Sequence, residues 1–253
     1  MKKLQRVVWS KGMFLTPQHF QAQDEYFEQT LQFRFNASNF ANWGLCGIGI
    51  DEASVTNGLF TLRHCEGVMP DGLVFHMPAS DELPSGRLLE EYFPPTQESL
   101  DVYLAIPQSR LSGRNFSLAA GHAEGGNGTQ SASRFLVETR LVPDDTADGD
   151  EKAIQVAKKT FRLLFQGENL DGFVTMRIAQ IGRSPAGAYI VNPKFIPALL
   201  DISASDYLMM LTRREIEVLT AKSSSLAMPR RQKGREVADF TTSEVANFWL
   251  LHS

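Results

Sequence analysis

Cysteine is nearly absent: the chain has 253 residues and only Cys46 and Cys65. Two thiols cannot staple a chain of this size, so its stability has to come from a buried core. Both lie in strand-like stretches. They are small buried hydrophobes in a reducing compartment, or two strands bring them together as a disulfide. A structural zinc site needs about four ligands, and His64 beside Cys65 is not a ligand spacing. Long apolar runs are absent as well, and nothing approaches the roughly 20 residues of a membrane span. Lys2 and Lys3 precede no uninterrupted apolar region and no small-residue cleavage site, so no secretory signal is indicated and a cytoplasmic protein is expected. Positive charge is not in excess. A net charge of −4 offers no field for a nucleic-acid backbone.

Chemistry is sparse too. The five histidines, His19, His64, His76, His122 and His252, form no His-x-x-x-His pair and no Cys/His cluster. No Gly-x-Ser-x-Gly elbow occurs. Asp51-Glu52, Asp81-Glu82 and Glu90-Glu91 are adjacent carboxylates, and neighbours along a strand point to opposite faces. The glycine-rich run Gly121 to Gly128 lacks the Gly-Lys-Ser/Thr ending of a phosphate loop. The acidic run from Asp144 to Glu151 lacks EF-hand spacing. No cofactor, metal or catalytic residue is expected, and the sequence points away from an enzyme.

What is present begins at the N-terminus. Val8, Trp9, Met13, Phe14 and Leu15 crowd into a segment where chain ends are usually polar and loose. Thr16-Pro17 then marks a helix start, with Thr as N-cap and Pro at the first helical position. The spacing predicts a helix from Gln18 to about Phe35. Phe20, Phe27, Leu31 and Phe35 lie on one face, which implies a packing surface on the same chain or on a sister chain.

From Trp43 the period changes. Strands are predicted over Trp43–Asp51, with glycines that permit bulges or close approach, and over Leu59–Glu66 after an Asn57-Gly58 hairpin signal. Pro70-Asp71-Gly72 is a turn leading to a strand at Leu73–Met77. Further strands are expected at Leu100–Pro107, Arg134–Pro143, Ile154–Phe165 (with a break near its lysines), Phe173–Arg183 and Gly187–Asn192, with a loop from Gln108 to Ser131. Short strands separated by turn signals suggest an antiparallel β-sandwich, and the lack of βαβ alternation argues against a nucleotide-binding parallel sheet. Ser205 can cap a helix to about Leu226, in which Leu208, Met209, Leu211, Thr212, Ile216, Leu219 and Leu226 supply an apolar stripe, and Met209-Thr212-Ile216-Leu219-Leu226 fits a heptad seam. Met228 to Arg235 reads as a basic linker containing a breaker, and Glu236 to Ser253 as a second helix. That helix ends on Trp249-Leu250-Leu251 without a cap, so a longer parent protein is expected.

Val8 to Asp24, Gly67-Val68-Met69-Pro70-Asp71-Gly72, Tyr103-Leu104-Ala105-Ile106-Pro107, Tyr189 to Pro197 and Phe248-Trp249-Leu250-Leu251-His252 occur in an order that resembles the N-terminal part of the TssK (VasE/ImpJ) family of type VI secretion baseplate subunits. The resemblance implies a mainly β protein with α elements: an N-terminal arm at 1–17, a helix plus β-sandwich shoulder at 18–200, similar to that of phage receptor-binding proteins, and the start of a helical neck at 201–253. It implies a non-catalytic homotrimeric adaptor at the inner face of the cytoplasmic membrane. The shoulder side would dock onto the TssF–TssG wedge; Val8, Trp9, Met13, Phe14, Leu15, His19 and Phe20 are the residues expected at that surface, the alternative being that Val8, Trp9, Met13 and Phe14 pack into the shoulder or across the trimer. A C-terminal head, absent here, would contact the TssJ, TssL and TssM membrane complex. Leu208, Met209, Thr212, Ile216 and Leu219 would close the trimeric neck. The alternative is a receptor- or carbohydrate-binding sandwich of a phage-tail-like particle.

Overall fold

The computed structural model of the protein describes residues 5–110, 115–118, 133–144, 146 and 149–232, with side chains as far as 225. Two compact units are present, 1–205 and 206–253. In the first, a long helix, α1 (Pro17–Ser38), precedes strands β1 (Gly44–Ile50), β2 (Leu59–Phe60), β3 (Leu62–Val68), β4 (Val74–Met77), β5 (Arg87–Leu88) and β6 (Ser99–Pro107). Then follow β7 (Phe116–Leu118), β8 (Phe135–Pro143), β9 (Glu151–Lys159), β10 (Arg162–Phe165), β11 (Phe173–Arg183) and β12 (Tyr189–Val191). A five-residue helix, α2 (Glu52–Thr56), sits between β1 and β2.

Two sheets carry the core. One has the order β1-β3-β4 and the other β10-β6-β11-β12, with antiparallel neighbours throughout. Leu45, Leu62, Cys65, Phe75 and Met77 of the first pack in one cluster with Leu100, Val102, Leu104, Ile106, Phe165, Met176 and Ile181 of the second. This is the arrangement expected of a sandwich, in which two inner faces interdigitate. Alternation in β6 puts Leu100, Val102 and Leu104 inward. In β11 the inward set changes from Met176 and Ile178 to Ala179 and Ile181. A bulge between Arg177 and Ala179 adds one residue and shifts the phase.

The glycines of β1 and β3 act as the pattern implied. Bulges fall between Leu45 and Gly47 and between Gly49 and Ile50. A side chain on Gly44 would lie 2.9 Å from the Ala198 carbonyl oxygen, so the 198–200 segment can run against β1 only because no Cβ is there. The first bulge also leaves Cys46 exposed, contrary to the buried pair expected from sequence. Cys65 is buried, and desolvation is the main cause that pushes its thiol up to about 12. Both thiols are free.

Three other expectations need correcting. Asn57-Gly58 does not make a two-residue hairpin. It ends α2, with the Gly58 N–H donating to the Val55 carbonyl at 2.8 Å and Gly58 at φ 87°, as helix termination by glycine requires. The Gln108–Ser131 loop contains β7, which pairs in parallel with β8; Gly121 to Gly128 lie outside the described residues. No residue of α1 is buried, and Phe20, Phe27, Leu31 and Phe35 of its stripe stay about half exposed among the described residues.

Pro70-Asp71-Gly72 makes the β3–β4 turn. The Gly72 N–H donates to the Met69 carbonyl at 2.8 Å. Asp71 is also a junction. Its Oδ2 is 2.6 Å from Nη2 of buried Arg134, just before β8, while its carbonyl accepts from Nε2 of Gln32 on α1. The β7-β8-β9 sheet is pinned at its base by Lys158 to Glu82 and by Lys159 Nζ to Asp81 Oδ1 at 2.9 Å.

The second unit is described as one helix, α3 (Asp206–Gln232). It starts where Ser205 predicted but continues through Met228 and Pro229, so the expected linker is helical as far as Gln232. Pro229 carries no backbone N–H, so the helix lacks one donor there. The second predicted helix, Glu236 to Ser253, lies outside the described residues.

Candidate partner-binding surface

The N-terminal arm is shaped by backbone chemistry. The Met13 N–H donates to the Ser10 carbonyl at 3.3 Å, closing a tight turn with Gly12 at φ 83° in its third position. The Ser10 N–H donates to Sδ of Met13 at 3.4 Å. Thr16 then takes the extended conformation of an N-cap (φ −127°, ψ 159°) and Pro17 begins the helix. His19 fills the place that Glu or Gln takes in a capping box. Its Nδ1 accepts the Thr16 N–H at 3.2 Å, and the Thr16 hydroxyl lies 2.8 Å from the same nitrogen. An acceptor role for Nδ1 puts the neutral ring's proton on Nε2.

The arm is clasped to the first turns of α1. Trp9 Nε1–H donates to Oε1 of Gln23 at 3.0 Å, and its ring lies 6.2 Å from that of His19 and 6.1 Å from that of Phe20. The clasp fixes the arm without burying it. Phe14 is 85% exposed and Val8 77%, while Trp9, Leu15 and Phe20 are about half exposed. Met13 and His19 are half-buried. Of the seven residues singled out in the sequence, the rings of Trp9, His19 and Phe20 come together, Met13 folds back on Ser10, and Val8, Phe14 and Leu15 lie exposed on the same arm. His19 has a second role there, as the cap of its own helix, which its position three residues after Thr16 signals.

On α3, Leu208, Met209, Thr212, Ile216 and Leu219 fall within about 100° of arc at 3.6 residues per turn. Leu208 and Met209 are half-buried; Thr212, Ile216 and Leu219 are exposed. Met210, Leu211 and Val218, outside that seam, are exposed as well.

Among the described residues no group of three or more His, Cys, Asp or Glu side chains could hold a metal ion. No described helix is long and apolar enough to cross a membrane. The first unit carries a β-sandwich and an exposed apolar arm, and the second a helix with exposed apolar residues. Residues 19–253 match the bacterial type VI secretion family described by EvfL, ImpJ and VasE. The chain belongs to that family. It is 32% identical over 250 residues to the type VI secretion system baseplate component TssK1 of Pseudomonas aeruginosa, covering 97% of this chain and 52% of TssK1. It thus spans about half the length of that curated relative. Its fold is similar to a chain of the TssK–TssF–TssG baseplate subcomplex seen by cryo-electron microscopy (TM-score 0.82, 22% identity, 99% of this chain and 76% of that one). The crystal structure of TssK is similar too (TM-score 0.78, 23% identity, 99% of this chain and 54% of that one).

Proposed function

We propose that the chain is the shoulder and the start of the neck of a TssK-type subunit, a non-catalytic structural adaptor of a type VI secretion baseplate. Residues 1–17 are its docking arm, 18–200 its shoulder and 201–253 the beginning of its neck. The arm and the first turn of α1 dock onto the TssF–TssG wedge. Leu208, Met209, Thr212, Ile216 and Leu219 seal the neck of a homotrimer. The link to TssJ, TssL and TssM is made by the half of the relative's length that this chain does not span. The working place is the cytoplasmic face of the inner membrane.

One observation carries the docking reading: Val8, Phe14 and Leu15 are held in a fixed conformation by Gly12, the Thr16–His19 cap and the Trp9–Gln23 bond, yet stay exposed. An apolar patch that is already ordered loses little conformational entropy on binding, and aromatic anchors of this kind dominate interface energetics. Similarity to a chain of a complex that contains TssF and TssG supports the choice of partner. Co-purification of the chain with TssF and TssG tests it. Deleting the residues before Pro17 is expected to abolish capture, and Phe14→Asp to weaken it about tenfold or more. Undiminished capture after the deletion overturns the docking role of the arm.

A further inference from the structure

Among the groups that hold the arm, His19 is the one whose charge can change near neutral pH. It stands at the third position of α1, three residues after the N-cap Thr16. Its Nδ1 takes the Thr16 N–H at 3.2 Å, a place that Glu or Gln fills in the usual capping box. Glu and Gln offer an acceptor there throughout the neutral range. An imidazole does not, because side chains of this type change charge between about pH 5 and pH 8.

Protonation removes the acceptor. Nδ1 then carries a hydrogen and meets the Thr16 N–H donor to donor. The ring can give that hydrogen to the Thr16 hydroxyl, 2.8 Å away, but the Thr16 N–H is then left without its partner. The new charge is also misplaced, in the first turn of a 22-residue helix, where the helix dipole is positive.

Nothing around His19 offsets that charge. α1 has no acidic residue in its first turn. Ala22 and Gln23, one turn further along, are uncharged. Asp24 and Glu25, the first carboxylates of the helix, lie roughly 120–140° around it from His19. The arm residue against the ring is Trp9, tilted by 34° with centroids 6.2 Å apart, just beyond cation–π range. The arm's own charged residues in the described stretch are Arg6 and Lys11, of the same sign as a protonated ring. Among the described residues no carboxylate forms an ion pair with His19.

The cap leads directly to the docking residues. No described residue of the arm is buried, and none of α1 is. The arm is held by the Gly12 turn, the Ser10–Met13 contact, the Thr16–His19 cap and the Trp9–Gln23 bond. His19 and Gln23 are one turn apart on the same face of α1. A ring that turns away from the Thr16 N–H therefore also changes the surface on which the Trp9 ring rests.

We propose that His19 positions the docking arm as a neutral imidazole acceptor, and that protonation of its ring loosens the arm and weakens capture of TssF and TssG. The proposal rests on the docking role of the arm given above.

The full chain is labelled with nitrogen-15 and titrated from about pH 8 to about pH 5.5, with capture of TssF and TssG measured over the same range. In the free chain the His19 ring signals, identified by their loss in His19→Gln, should show the Nε2–H tautomer at the upper end. The Trp9 indole N–H signal, identified by Trp9→Phe, should shift with the same midpoint as the ring. Affinity for TssF and TssG should fall about fivefold or more across the range. In His19→Gln the ratio of affinities at the two ends should stay within about twofold, because Gln accepts the Thr16 N–H at both. The ratio is taken within each variant, so titration of His64, of His76 beside Glu66 or of groups on the partners affects both alike. Wild-type capture that is equal at both ends, or a His19→Gln ratio equal to the wild-type one, overturns the proposal. So does an Nδ1–H tautomer at the upper end, or a Trp9 signal that does not follow the ring. Capture that survives deletion of the residues before Pro17 overturns the docking reading alone. The coupling of His19 to Trp9 in the free chain then still decides whether the cap positions the arm.

Discussion

Phe75 and Phe14 are the same residue type used in opposite ways. Phe75 in β4 is 1% exposed, with its ring 5.4 Å from that of Phe161. Phe14 is 85% exposed, on an arm that its own hydrogen bonds hold in place. The sandwich is held by apolar burial between two sheets. The arm and α1 are held by a turn, a cap and a few side-chain bonds, with no buried residue in the helix. Order therefore has two sources in this chain. Where burial supplies it, the surface is finished. Where local bonds supply it, the apolar surface is still unspent and can be given to a partner.

That contrast can be broken by measurement. Phe75→Ala should cost the most, about 3–5 kcal/mol in a denaturant titration, because it opens a cavity between the sheets. A loss below 1 kcal/mol would mean the core is not where the two sheets meet. Asp71→Asn should follow, at about 3 kcal/mol, because it leaves the buried Arg134 guanidinium without its counter-charge. The same variant keeps the oxygen that accepts the Leu73 N–H, so the turn itself should survive. Thr16→Ala should cost about 1 kcal/mol, read as faster amide exchange in the first turn of α1 and not as a change in the global melt. Phe14→Ser should do least, within about 0.5 kcal/mol, because the side chain touches little in the free chain. A large destabilisation there would show that the arm belongs to the core, and the contrast would fail.

Much of the fold is legible in the sequence because it depends on local chemistry. Thr16-Pro17 sets the start of α1, Pro70-Asp71-Gly72 makes its turn, and alternation marks β6 and β11. The lysine-flanked break inside Ile154–Phe165 falls where β9 ends and β10 begins, with Thr160 Oγ1 donating to the Ser133 carbonyl at 2.7 Å. The misreadings have a common cause. Asn57-Gly58 is a hairpin signal only if strands flank it directly, and α2 intervenes. Phe116-Ser117-Leu118 is too short to show a period, and its strand exists because β8 offers an edge. Cys46 looks buried by composition, but a bulge turns it outward.

For the candidate site, the sequence indicated which residues are apolar and where the helix begins. It showed His19 three residues after Thr16, the spacing of a capping box, without saying that a ring nitrogen would serve as the acceptor. It did not show that Trp9 reaches Gln23, fourteen residues on, or that Met13 folds back on Ser10 while Phe14 points away.

The sequence by itself determined the longer elements: caps, turns and periods act over a few residues, and their chemistry is written in adjacent side chains. Only the tertiary structure decided which apolar faces are covered. Covering depends on contacts between segments far apart in the chain, such as Gln32 with Asp71 or Asp71 with Arg134. Phe75 is buried against Phe161 between the sheets, while Phe14, Leu31 and Leu118 stay exposed.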